Sequence, residues 1–458
     1  MTGVTNEKMP EEKSSKVLIK NGLVVNEGRS EIKDVLIEGQ RIERVEQHIS
    51  PRTNEKVIDA SGMWVLPGLI DDQVHFREPG LTHKAEITTE SRAAVAGGIT
   101  SYIEQPNTRP PALTAEAVEE KYARAAECSM ANFGFNIGAS NENLEELKRL
   151  EKGRFPGVKV FMGSSTGNML VDNEQMLEGL FGELDQLIIT HCEDETTIQN
   201  NLEAARQRFG ADIPMDWHSR IRSEEACYLS SSRAVEMARK KGARLHVYHL
   251  STEKETALFD KGPIEGKKIT AEACVHHLWF TDNDYAAKGS LIKWNPAVKT
   301  EKDRAGLWKA LLDDRIDVIA TDHAPHLLEE KMQPYEMAPS GGPLVQHFLP
   351  AMLEFVRQDK IKIEWLVQRI CHNPATLFRI QDRGYIRPGY YADLVLVEPS
   401  APWTVTSENT LYKCGWSPFE GTSFKSRVDR TLVNGRVVYD KGRFEKSPMG
   451  MRLTHHAD

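Results

Sequence analysis

The stretch Ile70-Asp71-Asp72-Gln73-Val74-His75-Phe76-Arg77-Glu78-Pro79-Gly80 decides how this chain is read. It closes an apolar run that begins at Met63, and it then places a histidine, an arginine and a Pro-Gly turn in quick succession. An apolar strand that runs out into a potential metal ligand and a potential anion receptor fits the catalytic rim of a parallel barrel. Residues 73 and 75 are two apart, so on a strand Gln73 and His75 share a face.

Working outward, similar β-rich runs recur at 64–75, 99–105, 132–138, 157–162, 186–191, 244–250, 268–275 and 316–321, mostly separated by charge-laced stretches of helical character. Strands alternating with helices indicate βα units on a parallel sheet, and this number of them predicts a closed (β/α)8 barrel of the TIM type. An open doubly wound sheet is the competing architecture, but no GxGxxG follows any of the runs. His75, Asn107, Lys159, His191, His249 and Asp322 each fall at or just past the C-terminal end of a different run, where barrels of this class collect their catalytic residues.

Both ends of the chain have another texture. Residues 16–60 read as short strands broken at Asn21-Gly22, Gly28 and Gly39, and strand-like runs return at 389–397 and 431–439, the latter carrying the hairpin pair Asn434-Gly435. Neither end holds enough alternating strand to close a core alone. The expected organisation is a disordered tail over 1–15, a small composite β-sandwich from 16–63 and 384–450, and the barrel over 64–383.

Bulk properties narrow the function. Of 458 residues, 58 are basic and 67 acidic, giving a net charge of −9 with no long basic block, which argues against a nucleic-acid surface. No run approaches the roughly 20 apolar residues of a membrane span, and the charged N-terminus has no apolar middle of a secretion signal. Six scattered cysteines form no CxxC pair, as expected of reduced thiols in a cytoplasmic protein.

Taken one at a time, His191 (in IITHCED) and His249 (in HVYHLST) are ordinary hydrogen-bonded histidines. At equivalent positions on successive strands, together with His75, they point to a metal centre. His246, three residues before His249, is expected on the opposite face in a structural role, and Cys192 is read the same way. Asp322 ends an apolar strand, where a lone carboxylate is costly; ion pairing is the bland alternative to metal ligation and general-base duty. Lys159, flanked by Val158, Val160 and Phe161, either snorkels to the surface or is desolvated enough to be a neutral amine. A neutral amine can take up CO2 as a carbamate, an anion able to bridge two divalent ions.

The set DDQVHFREPG, Gln105-Pro106-Asn107-Thr108, VKVFMG, ITHCED, HVYHLST, KWNPAVK and IATDHAPH resembles the dihydroorotases, the class I branch of the cyclic amidohydrolases within the amidohydrolase superfamily. The resemblance runs from about Lys16 to Phe444 and includes Asn373-Pro374-Ala375-Thr376-Leu377-Phe378 and Pro388-Gly389-Tyr390-Tyr391-Ala392-Asp393-Leu394. It implies a divalent metal, usually zinc, with one or two ions per subunit. His75 and Asp322 would hold one ion and His191 and His249 the other, bridged by N6-carboxylysine at Lys159. Arg77, Asn107 and Asn295 match the residues that hold the substrate carboxylate. His326 matches a further substrate contact, and Ser340-Gly341 fall on a closing loop. The implied reaction is the reversible cyclisation of N-carbamoyl-L-aspartate to L-dihydroorotate and water, in pyrimidine synthesis. It would use a metal-activated hydroxide, with Asp322 as general base and then acid, and the resemblance favours a cytoplasmic homodimer.

One position departs from that pattern. Gln73 stands where the family usually has the first histidine of HxH, and an amide oxygen is a poorer zinc ligand than imidazole. The first ion could be held without it, be held only at high metal concentration, or be dispensed with. Since the other expected residues are present, the reading is a working enzyme with an altered first site, Gln73 being a weak ligand or a partner to the ligands. Two other readings compete: another cyclic amidohydrolase (hydantoinase, dihydropyrimidinase or allantoinase), which the FREPG arginine and the PNT asparagine oppose, and a catalytically impaired homologue with a structural role.

Overall fold

The computed structural model describes residues 16–163 and 169–457; the expected tail over 1–15 lies outside them. Eight parallel strands build the barrel: Leu69–Val74, Ile99–Glu104, Asn132–Phe135 (continued by Ile137–Gly138), Val158–Phe161, Ile188–His191, Leu245–Val247, Ile269–Cys274 and Val318–Ala320. The third strand changes partners at Asn136. Its first part pairs with Ile99–Glu104 and its second with Val158–Phe161. The ring closes between the first and last strands. A parallel bridge joins Val74 to His323, and the His75 N–H donates to His323 O at 2.7 Å. Thr321 locks the seam by donating its N–H and its hydroxyl to Asp71, at 3.2 and 2.6 Å.

The apolar runs were legible because these strands are covered on both faces. Every residue of Leu69–Val74 and of Ile99–Glu104 is buried. The helices that follow the strands start with side-chain caps at Thr114, Asn173, Asp194, Ser223 and Thr300. Asp194 matters most for function. Three residues after His191 it accepts the Thr197 N–H at 2.8 Å, so the chain turns into a helix immediately beyond the rim.

Both chain ends meet in one nine-stranded sheet, which includes Lys16–Asn26, Arg29–Glu38 and Arg41–Glu46 from the start of the chain and Leu394–Glu398, Arg427–Val433 and Arg436–Asp440 from its end. It has its own core, built from residues such as Val17, Ile19, Val35, Ile37, Leu394 and Leu432. Asn434 and Gly435 make the expected hairpin turn, with φ of 51° and 78°, the left-handed pair that a two-residue turn requires.

The structure divides the first run differently from the sequence reading. Trp64–Pro67 is not barrel strand; it pairs antiparallel with Leu394–Val397 and parallel with Leu23–Val24 in the outer sheet. The barrel strand starts only at Leu69, past Gly68, where an added Cβ would lie 2.0 Å from Thr100 Oγ1. A continuous apolar run conceals this switch because both sheets bury it.

Candidate active site

At the C-terminal ends of the barrel strands lies a cavity of about 590 Å³. Gln73, His75, Arg77, Asn107, Lys159, His191, His249, Asn295, Asp322, His326, Ser340 and Gly341 all line it, so every residue singled out from the sequence reaches the same space.

Three of these side chains are delivered by left-handed backbone. Arg77, His249 and Asp322 have φ of 68°, 41° and 50°, and the last two come two residues after their strands end. Non-glycine residues in this region cost about 1–3 kcal/mol each when the surroundings hold them there, and such residues cluster at functional sites. The twist also corrects the expectation for His246. With His249 re-aimed, the alternation of strand faces no longer separates the two. His246 shares a face with Tyr248 and points into the barrel core, where it approaches Asp72 on the first strand. Strands one and six are not neighbours, so this contact crosses the interior.

Hydrogen bonding fixes the tautomers of the rim histidines. His75 Nδ1 lies 2.7 Å from Asn107 Oδ1 and donates to it; Nε2 then presents its lone pair, 3.2 Å from Asp322 Oδ1. His191 donates Nε2–H to Glu193 Oε2 at 3.0 Å, which leaves Nδ1 unprotonated, 3.0 Å from His249 Nε2. Two ligands of one tetrahedral zinc, each bonded at about 2.0–2.1 Å, sit roughly 3.3 Å apart. In the first pair a lone pair faces a carboxylate, an arrangement that a shared cation satisfies. Burial holds His75 below the usual histidine range and His249 well below it, in the neutral form a metal needs.

Lys159 is fully buried, and its Nζ has no hydrogen-bond partner among the described residues. It lies 4.0 Å from the centroid of the Tyr248 ring, a contact that favours the charged form. Desolvation outweighs it and pulls the amine down to about 7. The snorkelling alternative is thereby excluded. An amine brought this low by burial, without a hydrogen-bond partner among the described residues and beside lone-pair histidines, fits a divalent metal centre.

Gln73 stays in the cavity wall, with Cys274 Sγ 3.7 Å from its Oε1. Cys274, His276 and His277 form a tight convergence of potential ligand atoms just beyond it.

The anion-binding side is built around Arg77. Its Nε donates to Pro325 O at 3.1 Å, and its Nη2 lies 3.0 Å from His326 Nε2. Lys84 Nζ lies 2.9 Å from His326 Nδ1, and His326 Nε2 also lies 3.0 Å from Ser340 O. Gly341 follows with φ of 124° and no room for a side chain, a Cβ there lying 2.4 Å from Ala324 O. Buried Lys331 holds the loop by donating to Pro339 O and Gly341 O, both at 2.8 Å.

Sequence reasoning missed the support beneath this rim. Glu193 bonds His191 and pairs with Arg222 at 2.5 Å, and the guanidinium and His191 hold its carboxyl down at about 2. Glu193 stood inside a quoted motif. Arg222, distant in sequence, carried no local signal.

Comparison with known proteins agrees with the geometry. The amidohydrolase family profile matches residues 64–438. A dihydroorotase from Halobacterium salinarum is 35% identical over 420 residues, covering 91% of this chain and 95% of the relative. An allantoinase from Salmonella paratyphi B is 29% identical over 452 residues, covering 96% and 99%. Among solved structures, L-hydantoinase (dihydropyrimidinase) from Arthrobacter aurescens superposes with a TM-score of 0.90 at 26% identity, over 96% of this chain and 100% of that one. With its barrel, its rim of lone-pair histidines and these relatives, the chain belongs to the amidohydrolase family, as a metal-dependent cyclic amidohydrolase.

Proposed function

We propose that this enzyme is a dihydroorotase, interconverting N-carbamoyl-L-aspartate and L-dihydroorotate with water. The observation that carries this reading is Arg77, a buried guanidinium set by Pro325 O and the His326 ring in the same cavity as the His75–Asp322 and His191–His249 pairs. A cyclic amide bearing a carboxylate explains such a receptor; a ring without one does not. The dihydroorotase relatives support the same reading.

His75, Asp322, His191, His249 and the carbamate of Lys159 would hold the metal, with Gln73 at its edge. When bound, a divalent ion of this kind lowers the pKa of water and polarises an amide carbonyl. The chain's own residues do the rest. Arg77 takes the substrate carboxylate with parallel N–H bonds, and Asn107 and Asn295 complete its cradle. Asp322 accepts a proton from the attacking water at its carboxylate and returns it to the ring nitrogen as the amide C–N bond breaks. In the cyclising direction the same carboxylate takes the proton from the ureido nitrogen. Glu193 keeps His191 in the tautomer that leaves Nδ1 free. His326 fixes the loop at Ser340 over the bound ring.

The deciding experiment is turnover of metal-loaded protein with dihydroorotate and carbamoyl-aspartate, with allantoin and hydantoin in parallel. Turnover of either of the latter two in preference to dihydroorotate would replace this reading with that of another cyclic amidohydrolase. No turnover of any of them at full metal loading would make the chain an impaired homologue. Arg77→Lys should raise KM roughly 10- to 100-fold, the worth of about 1.5–3 kcal/mol for a charged hydrogen bond, with a smaller effect on kcat. Saturation kinetics unchanged by that substitution would remove Arg77 from the substrate site.

Gln73→His should tighten metal binding at the His75–Asp322 pair, because imidazole replaces an amide oxygen. Equal affinity and stoichiometry in competition with a chelator would put Gln73 outside the ligand shell.

No described helix is long and apolar enough to cross a membrane, and all six cysteines are free thiols. The cytoplasmic homodimer is proposed on the strength of the resemblance.

A further inference from the structure

Below the rim, the barrel core holds a second convergence of ligand atoms. Asp72, His246 and Glu272, on the first, sixth and seventh strands, are each 0% exposed. His246 Nε2 lies 3.5 Å from Asp72 Oδ2 and 3.8 Å from Glu272 Oε2. Both separations are too long for a sound N–H···O bond. Both oxygens of Asp72, Glu272 Oε2 and His246 Nε2 have no hydrogen-bond partner among the described residues.

Thr270 Oγ1 occupies the other ring nitrogen, lying 2.8 Å from His246 Nδ1 and 3.2 Å from Leu245 O. The two carboxylates face Nε2 and, against the cost of burial, push the imidazole up to about 9, so the site favours positive charge at that point. Acceptors facing acceptors in a dry core are among the costliest arrangements a protein can hold. A cation between them resolves it. A proton on Nε2 would meet acceptors only at 3.5 and 3.8 Å and would leave carboxylate oxygens still unpaired. An ion bonded at about 2.0–2.2 Å needs its ligands roughly 3.3–3.6 Å apart, close to the spacing found.

We infer that Asp72, His246 and Glu272 bind a divalent cation of the zinc or manganese kind in the barrel core, as a structural site separate from the rim. Two carboxylates and one imidazole suit such ions. The site also reaches the rim. Glu272 Oε1 accepts the backbone N–H of His249 at 3.2 Å and the Cys274 thiol at 3.3 Å. An ion on Oε2 would thus fix the carboxylate that holds His249 in its left-handed conformation. The inference does not depend on which substrate the enzyme uses.

Two measurements test it on the full chain. Crystals of protein produced in manganese-supplemented medium should show an anomalous peak bonded to all three side chains, below any rim density. Absence of a peak there overturns the proposal whatever the rim holds. In solution, metal per chain after removal of free ion should fall by one equivalent in Asp72→Asn, while Lys159→Ala, altered only at the rim, keeps the core equivalent. Undiminished metal in Asp72→Asn overturns the proposal. If that variant does not fold, the diffraction result on the unaltered chain decides.

Discussion

Lys159→Ala is expected to lose roughly 10³-fold or more in kcat/KM toward dihydroorotate, the equivalent of the several kcal/mol that a correctly held metal contributes. The lysine sits among Val158, Val160 and Phe161 with no hydrogen-bond partner for its amine among the described residues, a costly environment for an ammonium. Its amine is pulled down to about 7 by burial, so the neutral fraction grows as pH rises through that value. Only the neutral amine attacks CO2. Metal loading of stripped enzyme should therefore proceed further at pH 8 than at pH 6, and bicarbonate should promote it. Loading that is equal at both pH values and indifferent to bicarbonate would return Lys159 to a structural role, as would near-normal turnover in the alanine variant.

Asp322→Asn is the second substitution with a large effect, a fall in kcat of roughly 10²- to 10⁴-fold in both directions, the usual worth of a positioned general acid–base. The amide preserves the volume and can still accept a hydrogen bond, but it cannot take up the proton. Steady-state rates together with metal content separate the two duties proposed for this residue. Lost turnover with metal retained marks the proton transfer; loss of both marks the ligand. A fall of less than about tenfold would assign the proton to another group.

Much of this architecture could be read from residues alone, and the reasons are physical. Strands buried on both faces leave continuous apolar runs, and five of them carry or lead into a residue too polar to be there for packing: Lys159 early in its strand, and His75, His191, His249 and Asp322 at or past the strand end. What stayed hidden depended on backbone geometry or distant partners. The sheet change between Trp64–Pro67 and Leu69–Val74 leaves no mark in hydrophobicity. The inward aim of His246 was masked because the left-handed φ of His249 breaks the two-residue period on which the parity argument rests. Arg222 becomes meaningful only through Glu193, which the fold alone brings to it.

The pairing of Trp64–Pro67 with Leu394–Val397 bears on the order in which the molecule is made. The segment that leads directly into the strand of Gln73 and His75 is clamped by residues near the far end of the chain. A ribosome exposes that clamp only after every barrel strand has emerged, and pairing so distant in sequence is slow to form. The nascent barrel is therefore complete in sequence before this particular pairing can form. A chain ended between Thr321 and Leu394 thus carries a full set of rim side chains and both sides of the Asp71–Thr321 seam, but not the strand that clamps Trp64–Pro67.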